Sequence, residues 1–224
     1  MAIFSSLILA VASLLAALLL FRQPVKLSHS SKVLASVVSL CAVFICIASI
    51  SPLLVNTNSN DGKTFALMIE NLRQYLAVPL FGSAFLSLTI NRNFSRASWG
   101  RWSLALLATF ELCRRTQAGE YYGISLGVLT SLIIGFCIFY QADKNIKPAQ
   151  WLLNVSAVSC FVLAMLIFNK EALISLNIMP ATIIQPLTDI SFSWYNFFLA
   201  YSLLVLCSLF SEKLANIRKI KQPI

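Results

Sequence analysis

The sequence predicts an all-α fold, a polytopic transmembrane bundle of seven helices with the N-terminus outside and the C-terminus in the cytoplasm. Three observations predict it. Of the 224 residues, 58% are hydrophobic and only 11% are charged, whereas soluble domains average roughly 45–50% apolar and about 25% charged residues. Several apolar stretches reach the roughly 20 residues that a helix needs to cross about 30 Å of hydrocarbon. Lys and Arg residues accumulate in alternate connections, as the positive-inside rule requires.

Seven apolar stretches form the predicted spans. In chain order they are about Ile3–Leu20, Val33–Val55, Leu72–Ile90, Trp102–Thr116, Tyr121–Tyr140, Trp151–Phe168 and Phe192–Phe210. None alternates between apolar and polar residues as a barrel strand does, and backbone groups in lipid must be satisfied within their own segment, so all seven are predicted to be helices. Together they make up a predicted transmembrane domain of residues 1–211. Pro79 is expected to kink the third helix.

Two segments do not fit this pattern simply. The fourth span meets Arg114 and Arg115 early, so we expect it to extend to about Gly119, with at least one arginine snorkelling outward or paired inside the bundle. Residues 170–190 are interrupted by Pro180 and Pro186. As an eighth span they would move the basic C-terminal tail outside, so an outer loop lying on or dipping into the interface is predicted. A re-entrant segment or an additional helix remains an alternative.

The distribution of basic residues sets the orientation and the expected partners. With the N-terminus outside, 12 of the 17 Lys and Arg residues face the cytoplasm. They are Arg22, Lys26, Lys32, Arg92, Arg96, Arg101, Lys144, Lys147, Lys213, Arg218, Lys219 and Lys221. The predicted partners are the lipid bilayer and, through the basic loops and a basic amphipathic tail at residues 212–224, the anionic lipids of the inner leaflet. Nucleic-acid binding is not expected. Compact loops without an organelle-targeting segment favour a bacterial cytoplasmic (inner) membrane.

Several classes of chemistry lack the residues they need. The single histidine, His29, lies in the first basic loop, so the bundle offers no pair of haem ligands and no Ser-His-Asp or Cys-His nucleophile. No glycine-rich phosphate loop is present. The six cysteines lie within predicted spans and show no CxxC spacing. The sequence therefore predicts no catalytic residue, no metal site and no cofactor, and favours a protein that is not an enzyme.

Charged residues near the predicted outer ends of helices three, four and five give the candidate site. Glu70 and Arg73 are three residues apart, and Glu111 precedes two arginines by three and four, so each acid lies beside a base on one helix face. With Glu120 the candidate ligand-binding residues are Glu70, Arg73, Glu111, Arg114, Arg115 and Glu120, supported by Asn71, Tyr75, Trp194, Tyr195 and Asn196. Charges inside a bilayer are costly, so they should face the bundle interior and pair. Alternatively, they mark helix ends at the headgroup level.

Three functions remain open from the sequence. The favoured hypothesis is transport or sensing of a small solute or ion through an outer-half polar cavity. The second is a non-catalytic subunit or assembly factor of a membrane complex, which requires a membrane-protein partner. The third is a lipid-modifying membrane enzyme in which Glu111, Arg114 and Arg115 handle a phosphate headgroup, although no nucleophile or base accompanies them.

Overall fold

A computed structural model describes residues 2–22, 29–55, 59–92, 94–140, 148–169 and 192–220. These residues form helices joined by turns, and none of them is in a strand. The helices are α1 (Ala2–Phe21), α2 (His29–Leu54), α3 (Asn60–Leu72), a π-helical turn (Arg73–Ala77), α4 (Val78–Thr89), α5 (Arg96–Arg115), α6 (Gly119–Tyr140), α7 (Pro148–Phe168) and α8 (Phe192–Ile220). Because α3, the π turn and α4 run on without a gap, the described residues form seven continuous helical segments. The all-α prediction is confirmed.

Within the described part of the chain, five helices are long and apolar enough to cross a membrane. These spans are Ile3–Phe21, Ser31–Leu54, Gly119–Tyr140, Gln150–Phe168 and Trp194–Leu214. They indicate an integral membrane protein, and they coincide with the first, second, fifth, sixth and seventh predicted spans. The other two segments differ in kind, because α4 has only 12 residues beyond the π turn and α5 has charged residues at both ends. Seven crossings, and the orientation of the termini, stay predictions.

The third helix begins at Asn60 and not at Leu72, so the predicted boundary is wrong. The Ser59 hydroxyl caps the new start by accepting a hydrogen bond from the Gly62 N–H. Polar residues on one face make α3 amphipathic. Because its apolar residues are not consecutive, the helix does not show as an apolar stretch in the sequence. Directly before Pro79, which has no N–H to donate, the Val78 N–H bonds the Arg73 carbonyl and forms the wider π turn.

The fourth helix extends in the opposite direction from the one predicted. It begins at Arg96, where the Ser95 hydroxyl accepts the Ser98 N–H, and it ends at Arg115 without reaching Gly119. The chain turns through Gln117, whose φ is 59°, and α6 then begins at Gly119. The short apolar run is therefore lengthened at its N-terminal side, and both arginines of the last turn lie where a helix dipole favours positive charge.

Helix α8 continues without a break to Ile220, so the predicted tail is helical as far as the structure describes it. The domain boundary at residue 211 and the position of the tail on the inner leaflet stay predictions. The predicted outer loop at 170–190 lies outside the described residues, as do residues 221–224.

Helices α1 and α2 run antiparallel, and small residues let them approach closely. Along α1 and α2, the Cys46 thiol donates to the Ala10 carbonyl at 3.5 Å and the Ser39 hydroxyl donates to the Ala17 carbonyl at 3.4 Å. Ala16, also on α1, is fully buried. The contact between α1 and α2 thus uses alanine and serine, as membrane helices commonly do.

Contacts between distant parts of the chain identify which helix ends meet. The Asn196 amide at the start of α8 donates to the Ser5 hydroxyl at the start of α1, 3.3 Å away. The ring of Phe168, at the end of α7, lies 5.5 Å from that of Tyr195. Arg73 lies against the same tyrosine. We call this end of the bundle the Arg73 end, and the end that holds the connection from α4 to α5 the Arg92 end.

Candidate polar site at the Arg73 end

A buried ion pair lies between α3 and α8. The Arg73 side chain, only 2% exposed, pairs with the Glu70 carboxylate three residues earlier. Its guanidinium carbon lies 4.9 Å from the centroid of the Tyr195 ring, in position for a cation–π contact. Glu70 is 29% exposed, so the pair extends from the interior towards the surface. Spacing along one helix face creates the pair, and packing of α8 against it buries the arginine.

Gln74, the next residue on the π turn, is the most unusual polar side chain of this region. It is 2% exposed, and neither its amide oxygen nor its amide nitrogen has a hydrogen-bond partner among the residues the structure describes. A buried polar group without a partner costs free energy, so such groups are rare in folded proteins. The sequence does not point to Gln74, because one glutamine between Arg73 and Tyr75 forms no pattern.

Two polar residues of α8 complete what we call the Arg73 site, defined as Glu70, Arg73, Gln74, Tyr195 and Asn196. Tyr195 is fully buried. Asn196 is also buried, and its amide nitrogen donates to the hydroxyls of serines 5 and 6 on α1, both at 3.3 Å. Its amide oxygen has no partner within the described ranges. The two residues had been predicted only as supporting groups, yet α8 supplies one wall of the site.

Tyr75 faces the other side of the helix, towards α5 and α6. Its ring stacks on Phe110 with 4.1 Å between centroids and on Tyr122 at 5.8 Å. The Tyr122 hydroxyl in turn donates to the Leu106 carbonyl at 3.2 Å, which ties α6 to α5. Glu120 lies within electrostatic range of the Tyr75 hydroxyl. These aromatic contacts connect the two outlying helices to the π turn.

The second predicted group lies on the surface. Within the last turn of α5, Glu111 accepts from Arg114 at 2.9 Å through both of its oxygens and from Arg115 at 3.0 Å. Their side chains are 40%, 62% and 75% exposed, in that order. Exposed ion pairs add little stability. The structure therefore divides five of the six predicted charged residues between an interior pair and a surface triad, and Glu120 belongs to neither. The arginines of the triad already have a carboxylate between them.

The remaining supporting residues contribute less. Trp194 is 53% exposed and packs on Phe197 and Phe198, and Asn71 is half-buried. Within the described residues no three His, Cys, Asp or Glu side chains come together as a metal site.

Two sizeable cavities lie away from the predicted charged residues. One, of about 430 Å³, is an apolar groove between α6 and α7 whose lining includes Gly127 and Met165. The other, of about 610 Å³, opens between α4 and α5 at the Arg92 end. None of the charged residues predicted for ligand binding lines either cavity. Neither cavity could be predicted from the sequence, because both depend on how two helices diverge.

Comparison with known proteins does not assign this chain to a family. No family model matches this sequence, and no curated protein or solved structure is significantly similar to it. The functional conclusion therefore rests on the geometry of the Arg73 site.

Proposed function

We propose that this protein binds a small polar solute or ion within its membrane domain, at the Arg73 site, and transports or senses it. The observation that carries the proposal is the Gln74 amide, which is 2% exposed and has no hydrogen-bond partner among the described residues, directly beside a buried arginine. A solute that supplied the missing donor and acceptor would offset the cost of burying that amide.

The position of the charges supports the same function. Ionisable residues inside membrane bundles are rare, and they commonly mark solute or ion pathways. Arg73 is held by Glu70 on its own helix and by the Tyr195 ring on α8, so it is fixed between two helices that a moving bundle would separate. A π turn is also a frequent feature of functional sites in helices.

The chemistry of the site favours a solute that carries both donors and acceptors. Glu70 and Arg73 together are formally neutral, so the site does not select strongly for one sign of charge. Gln74 offers one amide oxygen and one amide nitrogen, and Asn196 offers an amide oxygen without a partner in the described part of the chain. A zwitterionic or neutral polar molecule fits this set better than a simple anion.

The test is a thermal-melting screen of the full chain in mild detergent. The panel contains amino acids, dicarboxylates, monosaccharides, choline and inorganic salts. We expect one class to raise the melting temperature of the wild type and of Gln150→Met, and to leave that of Gln74→Met unchanged. Gln150 is the matched control because it is a half-buried glutamine on α7 whose amide already donates to Glu212 at 3.3 Å.

Uptake of the stabilising compound into proteoliposomes then separates transport from sensing. Accumulation that Gln74→Met abolishes shows transport, and binding without accumulation shows sensing. A panel in which no compound stabilises the wild type, or one that stabilises Gln74→Met equally, would contradict the proposal.

A further inference from the structure

The Arg92 end contains a second site, unrelated to the Arg73 site. Where α4 ends and α5 begins, the two helices diverge around a cleft of about 610 Å³, within the size range of small-molecule sites. Leu86 and Ile90 of α4 and Ala105 of α5 line its apolar part. Arg92 and Arg101 line it as well, and no carboxylate of the described residues does. The cleft thus combines a cationic portion with an apolar one.

Hydrogen bonds and ring contacts fix the walls. The Trp102 indole N–H donates to the Ser83 hydroxyl at 3.1 Å and so joins α5 to α4. Trp99 is buried and meets the Phe94 ring edge-on, with 5.7 Å between centroids. These contacts fix the position of α5 against α4 on one side of the cleft.

The connection between the two helices is folded back onto α4. The Arg92 N–H donates to the Ser87 carbonyl at 3.0 Å, and the Ser87 hydroxyl donates to the Arg92 carbonyl at 2.6 Å. The backbone of Arg92 is therefore anchored, while its side chain remains exposed. This arrangement fixes the backbone from which the Arg92 side chain reaches the cleft.

Neither arginine is neutralised by a carboxylate of the described residues. Within the described ranges, ion pairs involve Arg73, Arg114 and Arg115, and neither Arg92 nor Arg101 pairs with a carboxylate. An arginine presents parallel N–H donors that match the oxygens of a phosphate. Two unpaired guanidiniums next to an apolar groove therefore complement a molecule with a phosphate at one end and a hydrocarbon chain at the other.

We propose that this cleft binds an anionic phospholipid, with its phosphate between Arg92 and Arg101 and one acyl chain along Leu86, Ile90 and Ala105. Basic pockets between membrane helices on the cytoplasmic side are known binding places for anionic headgroups. The tryptophans suit the boundary between headgroups and chains, where amphipathic rings concentrate. This assignment is more specific than a general attraction of basic loops to the leaflet, because it names one cleft and two residues.

The experiment uses quenching of tryptophan fluorescence by brominated lipids. The variant Trp151→Phe, Trp194→Phe keeps Trp99 and Trp102, which line the cleft, as the remaining fluorophores. The full chain in mixed micelles is titrated with brominated phosphatidylglycerol and, separately, with brominated phosphatidylcholine. We expect the anionic lipid to quench at a concentration about thirty-fold lower, since each basic residue near a headgroup contributes roughly a fivefold preference.

Two charge-matched double variants separate the cleft from the surface as a whole. Arg92→Gln, Arg101→Gln should lose the preference for phosphatidylglycerol. Arg22→Gln, Lys32→Gln removes two exposed charges that do not line the cleft and should keep it. Inorganic phosphate and glycerol phosphate should not compete.

Three results would overturn the proposal. They are equal quenching by both lipids in the wild type, equal loss of preference in the two double variants, and competition by inorganic phosphate at the concentration at which the lipid acts. Equal quenching would mean that the cleft does not select anionic lipid. Equal loss in the two double variants would mean that the preference comes from general surface charge. Competition by inorganic phosphate would mean that the arginines bind a free phosphate.

Discussion

Gln74→Met is the most informative single substitution in this protein. Methionine has nearly the shape of glutamine and is flexible enough to fill the same space, but it lacks the amide. Because both amide atoms of Gln74 are buried without a partner among the described residues, the substitution removes a cost and breaks no hydrogen bond that the structure shows. We therefore expect the variant to be more stable than the wild type, which is unusual for a change at a buried polar position.

The magnitude follows from the desolvation cost. An unsatisfied buried polar group costs about 1–3 kcal/mol, and replacing it with an apolar group of the same shape recovers that amount. For a chain of this length, one kcal/mol corresponds to about 2–4 °C in melting temperature. The expected gain in Tm is thus about 2–12 °C.

The assay is thermal unfolding in mild detergent, followed by circular dichroism at the helix band. Gln150→Met serves as the control, since the Gln150 amide bonds Glu212 near the surface and its loss should change stability by no more than about 0.5 kcal/mol. A lower Tm for Gln74→Met would refute the reasoning, because it would mean that the amide has a partner and stabilises the native bundle. That result would also remove the main support for a solute site at the π turn. A higher Tm combined with loss of solute binding would show stability given up for function.

Three further predictions concern the ion pairs, the helix packing and the orientation. Arg73→Met should lower the free energy of unfolding by about 3 kcal/mol, because it leaves Glu70 without its partner in a largely buried pair. Arg114→Met, on the exposed triad, should change the free energy of unfolding little. Denaturant titration of both variants checks this, and equal effects would contradict it. Gly82→Ala should destabilise the protein by about 1–2 kcal/mol, since a Cβ there would lie 2.8 Å from the Thr130 methyl group. Adding Thr130→Ser should relieve that clash. Gly100→Ala, where a Cβ would have nothing within 4 Å, should instead stabilise the protein by about 1 kcal/mol through helix propensity. Single cysteines at Arg96 and Lys219 in a cysteine-free background should react with an impermeant maleimide from the same side of the membrane, and labelling from opposite sides would refute the predicted orientation.

Composition and apolar length were sufficient to predict most of the helices. A span needs about 20 apolar residues whatever its neighbours are, so α1, α2, α6, α7 and α8 could be read from the chain alone. Helix α3 could not, because its apolar residues are spaced around one face and its polar residues made it look like a connection. The position of α5 was misjudged for a related reason: the capping residue Ser95 sets where the helix begins, and a hydropathy pattern does not report caps.

The candidate site was only partly accessible from the sequence. Local spacing predicted both acid–base groups, since residues three or four apart share a helix face. The spacing of residues along one helix could not predict that α8, from the far end of the chain, buries Arg73. Nor could it predict that Glu111 lies at the surface. The cleft at the Arg92 end was overlooked because Arg92 and Arg101 were counted together with all the other basic residues. The burial of a side chain and the divergence of two helices depend on tertiary packing, so they cannot be predicted from the spacing of residues in a single sequence.

The contrast between the two ends of the bundle connects the two sites. At the Arg73 end the interior positive charge has a carboxylate beside it and an aromatic ring against it, so it can remain where lipid and water are both scarce. At the Arg92 end two exposed guanidiniums have no carboxylate partner within the described residues, and they gain most from facing a leaflet rich in anionic headgroups. The π turn and Arg92 lie at opposite ends of α4. If the leaflet at the Arg92 end is the cytoplasmic one, the Arg73 site faces the outside, where a solute would arrive. The labelling of Arg96 therefore bears on both proposals: modification from outside would turn the lipid cleft away from the anionic leaflet and open the solute site to the cytoplasm.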